Sequence, residues 1–439
     1  MDSNIGTAMH ALMEELFPIC RSLTGSGVRE SLEILKRIAP LEIHEVPSGT
    51  RCFDWTVPDE WSVREAYVAD SSGRKVIDFA ENNLHLVGYS EPIEAEMDLE
   101  DLQVHLHSIP DQPGAIPYRT SYYDRTWGFC LCQKDRDALV PGTYRVKIDS
   151  TLAPGVLNYA ELIIPGEQED EVFLATNICH PSMANNELSG PVTCAFLARH
   201  LLEKPCRYTY RIAFVPETIG AIAYLSRNVE RMKARTIAGY QVVCTGGPDD
   251  FTYLESRQGD TLADRAARHV LTQSGAAHRL LDYTHRASDE RQYCSPRIGL
   301  PVGSLMRSKY HEYPQYHTSL DDLDFVTAEQ LASSYALYCS ILDGIEANRT
   351  YHTTLDGCEP NLGRRGFYPT LGGQSHKAAD TRLYRGIMAY ADGDHDLIGI
   401  ATRHGWSITD AARAAQTLVE AGLIKEAARS TGKEETLRK

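Results

Sequence analysis

The sequence predicts an α/β protein: a three-layer sandwich around a mixed sheet, interrupted by a β-rich insertion and closed by a C-terminal winged helix-turn-helix. Three observations predict it. Between Glu161 and about Glu346, short apolar runs alternate with segments of helical period, the pattern of strands joined through helices. From about Ile43 to Ile164 the runs are bounded by Gly, Pro and Asp-Ser-Ser-Gly signals, the texture of an all-β unit. Beyond a Gly/Pro-rich stretch, Glu359 to Gly373, come three helical segments, a tight turn and a short apolar run, the outline of a winged helix-turn-helix.

The elements follow in order. Met9, Leu12, Met13 and Leu16 recur at helical spacing, and Arg29–Ile38 is a second helix stopped by Pro40. Both belong to the α/β core, expected over residues 1–45 and 160–355. The insertion, 46–159, has strands expected at Ala66–Ala69, Val76–Phe79, Leu84–Val87, Val104–Leu106, Gly128–Leu131 and Gly142–Ile148. In the core, Val172–Ala175, Tyr210–Val215 and Tyr240–Cys244 read as buried strands. Leu188–Leu202, Ile219–Met232 and Thr261–Ser274 read as helices. Residues 356–439 form a linker and the winged helix. Its helices are expected at Thr381–Ala391, Leu397–Arg403 and Ile408–Ala421, with a turn at Gly405-Trp406-Ser407.

Charge and composition narrow the function. The 439 residues hold 44 Lys+Arg against 60 Asp+Glu, a net charge of −16. Binding to phosphate backbones needs a basic face, so nucleic acid is not expected as the main partner. Ser375 to Lys439 carries ten Lys+Arg against nine Asp+Glu, too little positive charge for a DNA-reading domain. The winged helix is therefore expected to contact protein, and the chain to form a homo-oligomer. No stretch approaches the ~20 apolar residues that span a bilayer. Met1 to Glu15 carries acids and no basic n-region, so no signal peptide is expected. The 11 cysteines are scattered, with only Cys130 and Cys132 close together. They read as reduced thiols of a cytoplasmic protein.

Four segments carry candidate chemistry. Asn177-Ile178-Cys179-His180-Pro181-Ser182, followed by Asn186-Glu187-Leu188-Ser189-Gly190, comes directly after a strand. Pro216-Glu217-Thr218-Ile219-Gly220 again places an acid at a strand end. Ala287-Ser288-Asp289-Glu290-Arg291 and Tyr316-His317-Thr318-Ser319-Leu320-Asp321-Asp322 add a second histidine and more acids. α/β sheets place ligands at the C-terminal ends of their strands, and two histidines with acids there are the ingredients of a zinc site with a general base. Taken singly, each has a plainer reading, as a surface histidine, a helix-capping acid or a solvated turn.

Together these motifs resemble the zinc aminopeptidases of the M28-like, phosphorylase/hydrolase-type α/β fold. The whole chain resembles a bacterial family of aminopeptidase-like proteins from polysaccharide or secondary-metabolite gene clusters. Leu16-Phe17-Pro18-Ile19-Cys20-Arg21-Ser22-Leu23-Thr24-Gly25, Pro117-Tyr118-Arg119-Thr120-Ser121-Tyr122-Tyr123 and Trp127-Gly128-Phe129 carry that likeness beside the segments above. The resemblance implies that His180 and His317 are metal ligands and Glu217 the general base. It puts Asn186 where a bridging Asp is expected, Thr218 where a second Glu is, Gly247 where another Asp is, and Asp289 at a Ser-Asp motif near the site.

A two-zinc site needs anionic oxygens to balance about +4 of charge. With Asn186, Thr218 and Gly247 in place of three carboxylates, one zinc is expected rather than two. It would be held by His180, His317 and one acid from Glu187, Asp249, Asp250 or Asp289, since catalytic zinc commonly has three protein ligands. The expected reaction is hydrolysis of a short peptide or an aminoacyl conjugate, with Tyr316 stabilising the oxyanion. Asp289 or Glu290 at the rim would pair with a substrate ammonium, or Arg291 with a carboxylate. Arg119, Tyr122, Tyr123 and Trp127 would form a substrate wall from the insertion, or a packed aromatic edge. Two other readings stand beside hydrolysis: a family member that binds a peptide or amide without cleaving it, and a DNA-binding regulator.

Overall fold

The computed structural model describes residues 3–367 and 375–427. An eight-stranded mixed sheet runs in the order Glu42–Pro47, Val156–Ile164, Tyr208–Val215, Gln168–Asn177, Thr236–Gln241, Val302–Arg307, Phe251–Leu254 and His278–Leu281. The four middle strands, Tyr208–Val215 through Val302–Arg307, are parallel. Every residue of Tyr208–Val215 is buried, as expected of a parallel strand covered on both faces. Two helix groups cover it. Ser189–Leu202 packs with Ser3–Leu16 and Ser26–Leu35, and Ile219–Arg235 packs with Glu290–Tyr293. Gly190 lets the first group approach: a Cβ there would lie 2.4 Å from the Val242 carbonyl oxygen.

The chain leaves this sheet after Glu42–Pro47 and returns at Val156–Ile164. Those two strands pair antiparallel, with Pro47 opposite Val156. The segment between them builds its own antiparallel sheet, in the order Lys75–Asp78, Glu60–Ala69, Thr143–Ala153, Ile93–Asp98. Two strand expectations fail here. Leu84–Val87 begins as a 3-10 turn, Asn83–His85, because the Asn82 side chain accepts the Leu84 N–H at 2.9 Å. Val104 and His105 likewise lie in a 3-10 turn, Gln103–His105. In the core, the strand expected at Tyr240–Cys244 ends at Gln241, and Cys244 adopts a left-handed φ of 51°. Among the described residues no helix is long and apolar enough to cross a membrane.

The described residues fall into two compact units. One holds the residues up to Asp264 and Ala276–Cys339, and so contains the core sheet and the insertion. The other holds Arg265–Gly275 and the described residues from Ser340 on. Residues 340–355, expected in the core, therefore group with the C-terminal unit. The reason is pairing: Thr350–Thr353 is the middle strand of a three-stranded sheet with Asp392–Asp396 and Ile424–Glu426. Three helices complete that unit: Ser375–Ala389, Leu397–His404 and Ile408–Glu420. Gly405, at φ 68°, ends the second helix, and Ser407 caps the third by accepting the Asp410 N–H at 3.1 Å. The linker expected after Glu359 lies partly outside the described residues, as does the chain beyond Ala427.

Candidate functional site

Register places the site. Gln168–Asn177 and Tyr208–Val215 are parallel neighbours with Asn177 opposite Val215. Both therefore end at the same sheet edge. Ile178-Cys179-His180 and Pro216-Glu217 emerge there side by side, and the Ile178 N–H donates to the Val215 carbonyl at 3.0 Å. A segment of the insertion outside its strands reaches the same place. Pro117 bridges to Thr318, and the Tyr118 N–H donates to the His317 carbonyl at 2.8 Å.

The centre is a buried pair. His180 Nδ1 donates to Glu187 Oε2 at 2.7 Å, with both side chains almost fully enclosed. Glu187 Oε1 accepts the Cys179 N–H. This fixes the imidazole with Nε2 turned to Glu217, 3.6 Å from Glu217 Oε2. The rings of Tyr118, His180 and His317 form a triangle, with centroids 5.0, 5.2 and 5.3 Å apart. Tyr316 stacks on His317 at 3.9 Å. Burial disfavours charge on His180, yet Cys179 beside it and the Glu187 carboxylate against Nδ1 hold its pKa above the ordinary histidine value. Burial, with His180 nearby, pushes His317 down to about 2, so that ring stays neutral. Burial raises Glu217 above the usual carboxylate range, against the pull of His180 and Arg291.

A second layer sits behind Glu217. Asp289 Oδ1 accepts the Thr218 N–H at 2.8 Å, and Thr218 Oγ1 accepts from Arg291 at 2.7 Å. Thr218 is held at φ 65°, a left-handed conformation costly for a β-branched residue. Tyr122, Ser182 and His317 are also left-handed, so the strain gathers around this corner. Asp289 and Glu290 are both completely buried. Glu290 Oε1 accepts from the Ala287 and Ser288 amides and from Tyr310 Oη at 2.7–3.0 Å. Asp289 Oδ2 and Glu290 Oε2 have no hydrogen-bond partner among the described residues. The rim position expected for these two acids is not where they lie: the loop folds them inward and leaves Arg291 exposed.

A cavity of about 460 Å³ opens beside Glu217. Glu217, Thr218, Ile219 and Arg291 of the core line it, facing Trp55, Tyr122 and Tyr123 of the insertion. The other two insertion candidates sit elsewhere. Trp127 stacks on His105 at 3.6 Å, and Arg119 Nη1 lies 3.3 Å from His107 Nδ1. Neither lines this cavity. Asn186 is buried, and its N–H donates to Asp321 Oδ2 at 2.9 Å. Asp321 also takes the Asn185 N–H and the Tyr313 hydroxyl, so it ties the loop together. Sequence reasoning weighed Glu187 only as a metal ligand and did not foresee Trp55. A Glu seven residues after the first His, on the same loop, was the available signal.

The nitrogen donors at this corner are two imidazoles, His180 and His317, with ring centroids 5.3 Å apart. An imidazole whose Nδ1 is fixed by a buried carboxylate is the usual arrangement of a metal-bound histidine, and His317 is a second neutral imidazole. One of the three positions that lack an expected carboxylate is also closed sterically. At Gly247 a Cβ would lie 2.3 Å from Ser308 Oγ, so no acid fits there. Asp249 and Asp250 are exposed. Among the described residues the tightest ligand-type group is Cys179, His180 and Glu187, with ligand atoms within 4.8 Å of one another. Its Glu187 oxygens are already committed, to His180 and to the Cys179 amide.

Comparison with known proteins agrees with this architecture. The family model for a domain of unknown function, DUF4910, matches residues 10–348, and a winged helix-turn-helix model matches 349–426. A Clostridium acetobutylicum protein is 44% identical over 96% of this chain and 97% of its own. Its given name couples polysaccharide biosynthesis to an aminopeptidase-like domain. A crystal structure from the same organism is 43% identical, with a TM-score of 0.91 over 97% of each chain. The zinc aminopeptidase BSAP of Bacillus subtilis shares the fold at 12% identity, with a TM-score of 0.57 over 77% of this chain and 94% of that one. A peptidase M28 precursor of Shewanella amazonensis does so with a TM-score of 0.55 over the same shares. The chain therefore belongs to the aminopeptidase-like family that the DUF4910 model describes, with the fold of the M28 zinc aminopeptidases and a C-terminal winged helix-turn-helix.

Proposed function

We propose that this chain is a zinc-dependent amide hydrolase of the aminopeptidase type, acting on a short peptide or aminoacyl conjugate. The observation that carries the reading is the His180–Glu217 pair. His180 Nε2, fixed through Glu187, faces Glu217 Oε2 at 3.6 Å at the wall of a substrate-sized cavity. His180 and His317 would hold the ion. Of the acids weighed as third donor, Glu187 is spent, Asp249 and Asp250 are exposed, and Asp289, whose Oδ2 is unpartnered, lies in the layer behind Glu217. Bound zinc supplies Lewis acidity toward the scissile carbonyl and brings the ionisation of water toward about pH 7.

The chain's own groups do the rest. Glu217 accepts a proton from the attacking water and delivers it to the leaving amine. Its pKa, raised by burial, suits a group that must take up and release a proton. Tyr316 stays protonated, because burial holds its hydroxyl well above the ordinary tyrosine value, and can donate to the developing oxyanion. Tyr122, pushed up to about 12, is a second donor of the same kind. The winged helix, near neutral in charge, serves as a protein-contact surface in a homo-oligomer.

The test pairs metal analysis with mutation. One equivalent of zinc and turnover of aminoacyl or N-acyl amides are expected. Glu217→Gln should lower kcat by about 100- to 10,000-fold while the protein keeps its zinc. Full activity in that variant sinks the assignment of Glu217 as general base.

A further inference from the structure

Beside Glu217 the cavity lining holds one fixed cation, Arg291, on the core side and one carboxylate, Asp124, on the insertion side. Asp289 and Glu290, the acids that could have paired with a substrate ammonium, are completely buried behind the wall. Glu290 is held there by the Ala287 and Ser288 amides and the Tyr310 hydroxyl. Arg291, the next residue, points the other way and lines the cavity. One of its N–H groups is spent on Thr218 Oγ1 at 2.7 Å, which anchors the guanidinium next to Glu217. No carboxylate lies within ion-pair distance of it among the described residues. Asp124 is the other charged group lining the cavity, and it is exposed on the insertion side.

Facing Arg291 is an aromatic wall. Trp55 is 41% and Tyr123 50% exposed, unusual for side chains of this size. Their rings are 6.4 Å apart, and Tyr123 Oη donates to the Thr56 carbonyl at 2.8 Å, which ties its loop to the antiparallel pair Arg51–Cys52 and Trp55–Thr56. Leu23 and Ile219 supply apolar surface between them. An anchored guanidinium opposite two open aromatic faces is suited to a carboxylate attached to a flat apolar group.

We propose that, within the hydrolase reading above, Arg291 and Trp55 select the substrate: an amide whose nitrogen belongs to an aromatic amino acid with a free α-carboxylate. The α-carboxylate stands two bonds from the scissile nitrogen, and Arg291 and Glu217 line the same cavity, with Arg291 bonded to the residue next to Glu217. The substrate then needs no free α-ammonium. N-acyl aromatic amino acids and dipeptides ending in one are equivalent to this site. In either, water adds to the carbonyl, the C–N bond breaks, and the amine leaves with the proton carried by Glu217.

The experiment uses the full-length, zinc-supplied protein. Turnover and calorimetric binding are measured for Ala-Phe, Ala-Phe amide, N-acetylphenylalanine and Ala-Ala. Ala-Phe and N-acetylphenylalanine should be handled alike. Ala-Phe amide should be about 10- to 100-fold weaker, the size of one charge-assisted pair. Arg291→Gln should erase the preference for acid over amide, and Arg291→Lys should restore part of it. Trp55→Ala, at an exposed position, should reduce the preference for Ala-Phe over Ala-Ala without changing the acid preference. Equal handling of acid and amide by the unmodified protein overturns the proposal while leaving the hydrolase reading intact. Acid-selective binding with no turnover of any compound does the reverse.

Discussion

The strands Gln168–Asn177 and Tyr208–Val215 carry charge at both ends, and the two ends are built differently. Near their start, Glu171 accepts from Arg211 at 2.7 and 3.2 Å and from Arg231 at 2.9 Å. Arg211 also donates to Glu161 and to the Tyr224 hydroxyl. Every charge of that cluster has an opposite partner. Past their C-terminal ends, Glu217 stands 3.6 Å from a histidine that is already taken, and two buried carboxylate oxygens have no partner among the described residues. The backbone there is left-handed at Thr218 and His317. The paired end holds the sheet; the unpaired end keeps its bonding capacity in reserve for something that binds. Strain and unmet bonds gather where stability has been exchanged for function.

That contrast can be broken most sharply at the paired end. Glu171→Gln leaves Arg211 buried with less negative charge, and should destabilise the protein by about 3–5 kcal/mol, read by denaturant melts. Activity per folded molecule should not change; an active-site defect in the folded variant would erase the distinction. Next in size is Gly247→Ala, whose Cβ would collide with Ser308. It should cost about 1–3 kcal/mol and give no gain in metal content. Smaller is Thr218→Gly, which relieves the left-handed strain. It should leave stability unchanged or raise it by about 1 kcal/mol, while lowering turnover because Arg291 loses its anchor.

The smallest effect is in pH. Burial alone would raise the pKa of Glu171, but its bonds to Arg211 and Arg231 outweigh that and hold it below the ordinary value. A depressed carboxylate contributes stability above its unfolded pKa, about 4.3, and loses it as pH falls through the folded value. Acid melts should therefore be steeper below pH about 4 in the unmodified protein than in Glu171→Gln.

Much of this was legible in the sequence, and the reasons are local. His180 and Glu217 announce themselves because each follows a continuous apolar run, and a run of that kind is a strand whose end is the next loop. The helices of the C-terminal unit were legible from period and punctuation, as Gly405 and Ser407 show. What periodicity does not carry is which loop meets which. Trp127 read either as a pocket wall or as a packed aromatic edge, and it stacks on His105; Trp55, seventy-two positions earlier, is the tryptophan at the cavity. The inward turn of Asp289 and Glu290 depends on Thr218 and Tyr310, partners distant in the chain. Gly247 reads only as a missing acid until Ser308 is seen to fill the space.

The bond between the Tyr118 amide and the His317 carbonyl also bears on when the protein becomes competent during synthesis. His180, Glu217 and the insertion leave the ribosome well before His317, so a nascent chain carries an incomplete corner until the segment around Thr318 arrives to pair with Pro117. Domains tend to fold as they emerge, and here the closing stitch comes late. A truncated or stalled product would hold His180 and Glu217 without the bonds that bring His317 to them.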